Sequence, residues 1–126
     1  MRFLGAALAL VLATCSASAD ETFTISTSAK MGQPRQLGVY GGHSKDCKSS
    51  EPARIEIVAP PRLGALGQRD NVPYVARNSL SHTCEGEHFF GVAVDYTAKA
   101  AGRDEVRFDA VFRNGTAHYI YTITNR

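Results

Sequence analysis

The chain has 126 residues, with 14 Lys or Arg against 12 Asp or Glu, and its formal net charge is +2. This length suits one domain, and the near balance of charge gives no footprint for nucleic acid or anionic lipid. No apolar run is long enough to form a membrane span.

The first residues have the pattern of an export signal. Arg2 supplies a short positive region, Phe3–Thr14 is apolar but short, and Ala17-Ser18-Ala19 is typical of a cleavage site. We therefore expect residues 1–19 to be a signal peptide. Residues 20–126 would then form a single exported domain, periplasmic or secreted.

The three cysteines fit export. Cys15 leaves with the signal peptide, unless the lipobox-like Leu12–Cys15 makes it the lipid-anchored first residue instead. Cys47 and Cys84 remain, and an even pair in an oxidising compartment predicts one disulfide. Two free thiols are the alternative interpretation.

Strand signals then recur along the chain, in runs rich in Thr, Val, Ile and aromatic residues. They predict strands over Glu21–Ser26, Gln36–Tyr40, Arg54–Val58, Val72–Ala76 and Phe89–Thr97. Pro73 lacks a backbone donor, which confines the fourth of these strands to a sheet edge. In the fifth, the residues expected to face the core are Phe90, Val92, Val94 and Tyr96.

The strongest local signal is a long β-hairpin over Asp104–Thr124. Asn114-Gly115 is typical of a two-residue type I′ turn, because both residues tolerate positive φ. That turn places Arg113 opposite Thr116. It predicts the pairs Val106 with Ile123, Phe108 with Tyr121, Ala110 with Tyr119 and Phe112 with Ala117. One face of the hairpin is then apolar and needs a second layer, so the pattern predicts an all-β sandwich of about seven strands.

Four motifs carry a resemblance to a known family. They are Pro61-Arg62-Leu63-Gly64, Val94-Asp95-Tyr96, the run Gly102–Phe108 and the closing run Tyr119–Ile123. On these motifs, residues 54–124 resemble bacterial immunoglobulin-like domains, especially the cadherin-like tandem repeats of bacterial surface proteins. The resemblance implies an immunoglobulin-like antiparallel sandwich. The chain departs from that family in being one unit rather than an array, and in its cysteine pair.

One local cluster has the ligand types of a metal site. Two imidazoles and two carboxylates fall within His82–His88, and a disulfide would bring His43 near because Cys47 follows it by four residues. Imidazole and carboxylate suit zinc or copper, so a periplasmic metal site of His82, His88 and His43 is one alternative to a solvated loop. A second alternative is an exported enzyme inhibitor that inserts this loop into its target.

Catalytic motifs are not apparent. No nucleophile elbow occurs, and a domain of this size offers little cleft between paired carboxylates. We therefore expect a protein that is not an enzyme and needs no cofactor.

An apolar spot with a charged rim lies on the outer face of the predicted hairpin. Its residues are Val111, His118, Ile120, Arg107 and Arg113. Such patches often mark protein contacts, with ordinary surface as the alternative. We therefore expect a non-enzymatic binding module of the bacterial envelope, whose partner is an envelope or extracellular protein.

Overall fold

The computed structural model describes residues 20–42, 46–48, 52–75, 84, 86–113 and 115–126. The predicted signal peptide and the alternative lipid anchor at Cys15 therefore lie outside the described residues. The described part contains seven strands. They are β1 (Glu21–Ala29), β2 (Pro34–Tyr40), β3 (Arg54–Ala59), β4 (Gly64–Val75), β5 (His88–Ala98), β6 (Gly102–Phe112) and β7 (Gly115–Asn125). Nowhere in these ranges is there a helix long and apolar enough to cross a membrane.

The strands form two sheets, in the orders β1-β7-β6-β3 and β2-β5-β4. An immunoglobulin-like sandwich divides its third, sixth and seventh strands from its second, fourth and fifth in the same way. Neighbouring strands are antiparallel, except that β1 runs parallel to β7. The predicted all-β immunoglobulin-like sandwich is thus confirmed, with one parallel pair that the prediction did not include.

β4 is longer than predicted. The sequence predicts turns before Val72, but Gly64–Arg69 already pairs with β5. A bulge between Arg69 and Val72 joins the two halves, and Asn71 adopts a left-handed φ of 54° there. Asn tolerates this conformation, so turn-forming residues are accommodated within the strand. Pro73 lies in an edge strand, as predicted.

The hairpin exists, but its predicted register is wrong by two residues. Phe112 pairs with Gly115, Phe108 with Tyr119 and Val106 with Tyr121, so Gly115 belongs to β7 rather than to the turn. Because side chains alternate with a period of two, a slip of two leaves every residue on its predicted face. Val106, Phe108 and Ile123 are accordingly buried between the sheets.

Aromatic side chains fill the core. Phe108 stacks on Tyr119 and Tyr121, with ring centroids 5.5 and 5.6 Å apart, and Tyr40 meets Tyr119 at 4.8 Å. The Tyr40 hydroxyl donates to the Tyr121 hydroxyl at 2.8 Å, which donates to the Leu37 carbonyl at 3.2 Å. Burial raises the pKa of Tyr119 to about 12, with smaller contributions from Tyr121 and Glu21. The hydroxyl groups of Tyr40 and Tyr121 thus connect the two sheets by hydrogen bonds within the core.

A second, smaller core lies beneath the disulfide. Cys47 and Cys84 are bonded, with Cα atoms 5.3 Å apart, which confirms the predicted pair. Phe89 packs here with Tyr74 and is 2% exposed. Phe90, predicted to face the main core, is instead 56% exposed. The prediction failed because it assumed one core, whereas the disulfide region provides a second apolar site on the other face of β5.

Candidate binding surfaces

One end of the sandwich is closed around a buried carboxylate. Asp104, the third residue of β6, is 3% exposed. It accepts hydrogen bonds from the backbone N–H groups of Arg62 (3.0 Å), Leu63 (2.9 Å) and Glu105 (2.9 Å), and from the Tyr96 hydroxyl (2.8 Å). Burial by itself raises the pKa of Asp104, but these four donors favour the charged form and hold the pKa below its usual value.

Asn125, at the end of β7, completes this network. Its amide nitrogen donates to the Tyr96 hydroxyl (2.8 Å) and to the carbonyls of Ala100 (2.9 Å) and Leu63 (3.3 Å). Tyr96 therefore accepts from Asn125 and donates to Asp104. The carboxylate is engaged by four protein donors, so the network ties the loops of this end together.

Three of the motifs that carry the family resemblance meet in this network. Arg62 and Leu63 belong to the Pro61–Gly64 motif, Tyr96 to the Val94–Tyr96 motif and Asp104 to the Gly102–Phe108 motif. The network therefore joins the loop before β4, the end of β5 and the start of β6.

The predicted contact surface lies on the outer face of β6 and β7. Its two aliphatic residues are not neighbours, because the observed register pairs Val111 with Thr116 and Ile120 with Arg107. Between them, His118 Nδ1 forms a hydrogen bond with Asp109 Oδ1 at 2.7 Å. Arg107 forms an ion pair with Glu105 at 3.1 Å.

Arg113, the remaining residue of the predicted surface, is exposed in the hairpin loop and has a partner of its own. The outer face is therefore a mixed polar surface rather than one apolar spot.

Sequence reasoning did not single out the apolar residues of β3. This strand is an edge of its sheet and pairs only with β6. Ile57 is 42% exposed and Val58 is 60% exposed, while Arg54 and Glu56 form an ion pair at 2.7 Å. The sequence signal that could have indicated this edge is Pro60-Pro61 directly after β3, because proline has no backbone donor for a sheet ladder.

The predicted metal ligands are only partly described. His82 and His43 lie outside the described residues, as do Thr83 and Glu85 of the proposed inhibitor loop. His88 is exposed at the first position of β5. Among the residues the structure describes, the one possible grouping of ligand atoms is Cys47, Cys84 and Glu87, within 4.8 Å of one another. Both sulfurs are already in the disulfide, so the oxidised protein offers a single carboxylate there.

Searches against known protein families, curated proteins and solved structures find no match to this chain. The fold and the disulfide define a small all-β sandwich, and the relation to bacterial immunoglobulin-like domains stays a prediction.

Proposed function

We propose that this protein is an exported, non-enzymatic binding module of the bacterial envelope. It adds an extended segment of a partner protein to the open edge of β3. One observation carries the proposal: two consecutive aliphatic side chains are exposed on an edge strand, Ile57 by 42% and Val58 by 60%.

An edge strand has one side of its backbone unpaired, which is a template for another strand. Recognition of this kind draws affinity from backbone hydrogen bonds and specificity from alternate side chains. β3 pairs through Arg54–Ile57 in regular register before the shift between Ile57 and Ala59. An added strand would therefore pair along Arg54–Ile57 and end beside Val58.

The other sheet edges are less suited to this role. β1 presents mainly Thr and Ser, and the bulge of β4 and its Pro73 interrupt pairing. β2 begins with exposed polar residues and has a register shift between Gln36 and Gly38. Only β3 combines an open edge with adjacent exposed aliphatic side chains in the described part of the chain.

The lack of enzymatic activity is part of the proposal. Support comes from Asp104, the buried carboxylate at the closed end, which is held by four donors. Two further polar pairs, the ion pair of Arg69 with Asp95 and the hydrogen bond of His118 with Asp109, lie on open sheet faces rather than in a cleft that could enclose a substrate.

The test uses the mature chain with a photo-crosslinking residue at position 58, in cells that export it. The captured partner is purified, and its binding is measured for the wild type and for Val58→Lys, because an edge lysine opposes strand addition. We expect a loss of about tenfold or more. The matched control is Thr24→Lys, an equivalent change at the exposed edge of β1, which should bind as the wild type does.

Hydrogen exchange on the complex locates the contact. We expect slowed exchange at β3 backbone amides. Slowed exchange at Val111–Ile120 instead, with full binding by Val58→Lys, would overturn the β3 proposal in favour of the outer hairpin face. Concentration-dependent dimers abolished by Val58→Lys would show that the added strand comes from a second copy, and would also overturn it.

A further inference from the structure

The charge of this protein is unevenly distributed. Six Lys and Arg side chains lie at the end of the sandwich where β1, β5 and β7 finish, which we term the basic end. They are Lys30, Arg35, Arg62, Lys99, Arg103 and Arg126, all of them exposed. The small net charge of the sequence does not indicate this cluster, because its members are spread between positions 30 and 126.

These six side chains differ from the other described cations in lacking partners within the described structure. Arg54, Arg69 and Arg107 form ion pairs, and Lys48 and Arg113 also make interactions. The nearest carboxylates are engaged, since Asp104 is held by four donors and Glu105 pairs with Arg107. The charge of the basic end is therefore available to an external anion.

The backbone of the basic end is held in place by hydrogen bonds between its loops. The Met31 N–H donates to the Arg126 carbonyl (3.0 Å), and the Gly32 N–H donates to the Ala98 carbonyl (2.9 Å). The Lys99 N–H donates to the Leu63 carbonyl (2.8 Å). Cations on fixed loops lose less backbone freedom on binding, which favours association.

Shallow clefts between these loops carry donors suited to phosphate. The larger, of about 730 Å³, is lined by Lys30, Arg35 and Arg126 together with Ser28, Gln33 and Gln36. A second, of about 510 Å³, is lined by Arg62, Arg103 and Thr122 and also by Asp104 and Glu105, two carboxylates that are engaged with other protein groups. Arginine matches phosphate oxygens with paired donors, and hydroxyl and amide groups add neutral ones.

An apolar side chain protrudes among these cations. Met31, between Lys30 and the turn at Gly32, is 42% exposed. It lines a groove with Lys99, so it lies between two positive charges. An apolar residue surrounded by cations is the arrangement with which peripheral proteins bind anionic membranes.

We propose that the basic end lies against an anionic phospholipid membrane, with lipid phosphates in the clefts and Met31 in the interface. Three loops contribute charge to one end of the molecule, which fits a broad charged surface better than a single small anion. The exposed Met31 distinguishes a membrane from nucleic acid, whose contacts here would be purely polar. The basic end adjoins the proposed partner edge, because Ala59, the last residue of β3, lines the second cleft, while Arg54–Ile57 extends away from it along the side of the sheet.

The experiment measures partition of the mature protein onto vesicles of equal parts phosphatidylglycerol and phosphatidylcholine, and onto phosphatidylcholine alone. We expect binding to the mixed vesicles that weakens with added salt. Lys30→Gln with Arg126→Gln should reduce partition about 25-fold, at about fivefold per charge. The control pair Arg54→Gln with Arg113→Gln removes the same charge near the opposite end of the sandwich and should leave partition within about twofold of the wild type.

Met31→Ser separates insertion from simple charge attraction. It should lower partition about threefold while keeping the same dependence on salt. Equal losses for both double variants would overturn the proposal, since they would show a response to net charge alone. Partition unchanged by Met31→Ser, or binding only to a DNA duplex or an acidic protein, would overturn it as well. All variants change exposed side chains, and thermal unfolding verifies that each one folds.

Discussion

Asp104 shows how a single side chain holds one end of this sandwich together. Its carboxylate joins the loop before β4, through Arg62 and Leu63, to the start of β6 and to Tyr96 on β5. The sequence motifs predicted that these segments matter, but not that they meet. A buried Asp is uncommon, and only the observed contacts show which donors compensate for its burial.

Replacing Asp104 with Asn should therefore destabilise the protein. An amide presents donors where the carboxylate accepts from Leu63 and Tyr96, so we expect the free energy of unfolding to fall by about 2–3 kcal/mol. Urea unfolding near neutral pH measures this. Asp70→Asn, at an exposed position on β4, is the control and should change stability by less than about 0.5 kcal/mol.

The loss of stability caused by Asp104→Asn should depend on pH. Because the folded pKa of Asp104 lies below the unfolded value of about 3.9, its stabilisation is present above that pH and is lost as the pH falls through the folded pKa. The gap in unfolding free energy between wild type and Asp104→Asn should narrow in acid. An equal gap at neutral and acidic pH would contradict this account.

At the scale of elements, close packing between strands decides where glycine is required. A Cβ built on Gly64, the first residue of β4, would lie 2.6 Å from the Thr97 carbonyl oxygen on β5. A Cβ on Gly67, three residues along the same strand, would meet nothing within 4 Å. The two positions form a matched pair.

Gly64→Ala should cost about 2–3 kcal/mol of stability, because backbone has to move to accept the methyl group. Gly67→Ala should be neutral, or should stabilise by up to about 1 kcal/mol through the less flexible unfolded chain. Denaturant midpoints of the two variants, compared with the wild type, measure the difference. Similar midpoints for both would refute the close approach of β4 to β5 at Gly64.

The β6–β7 hairpin shows what sequence could and could not predict at this scale. The alternation of apolar residues predicts both faces, since it depends only on the period of a strand. The register depends on long-range contacts that a turn motif does not encode. The observed pairing sets Asn125 opposite Gly102, where its amide reaches Leu63 and Ala100, and these contacts outweigh the preference of Asn114-Gly115.

At the scale of the whole molecule, the ionisation of the tyrosine side chains depends on whether the protein is folded. Burial raises the pKa of all five of them, most strongly for Tyr40 and to about 12 for Tyr119. A raised folded pKa means that stability is complete below the unfolded value of about 10 and is lost as the pH rises beyond it.

Alkaline titration should therefore show little tyrosinate absorbance near pH 10 in the native protein. Absorbance should then rise together with loss of circular dichroism, because unfolding exposes the rings. Protein unfolded in guanidinium is the control and should titrate near pH 10. Ionisation of several tyrosines near pH 10 with intact β-sheet signal would contradict the buried positions.

The disulfide and the class of fold could also be predicted from sequence, because cysteine pairing and strand periodicity are local or countable features. The basic end could not, since its six cations come from three loops, with the first residues of the strands that follow them, and from the residue after β7, and only the two-sheet topology brings these four segments together. For the same reason the exposure of Ile57 and Val58 could not be predicted, as it depends on β3 being an edge.

The parallel pairing of β1 with β7 has a consequence for how the molecule is made. Glu21 pairs with Ala117 and Ala29 with Asn125, and the Asp20 side chain accepts from Thr116, 96 positions away. β1 therefore stays without its partner strand until β7 has emerged from the ribosome, and contacts this distant make folding slow. A nascent chain that stays unfolded in this way remains threadable through a narrow translocation channel.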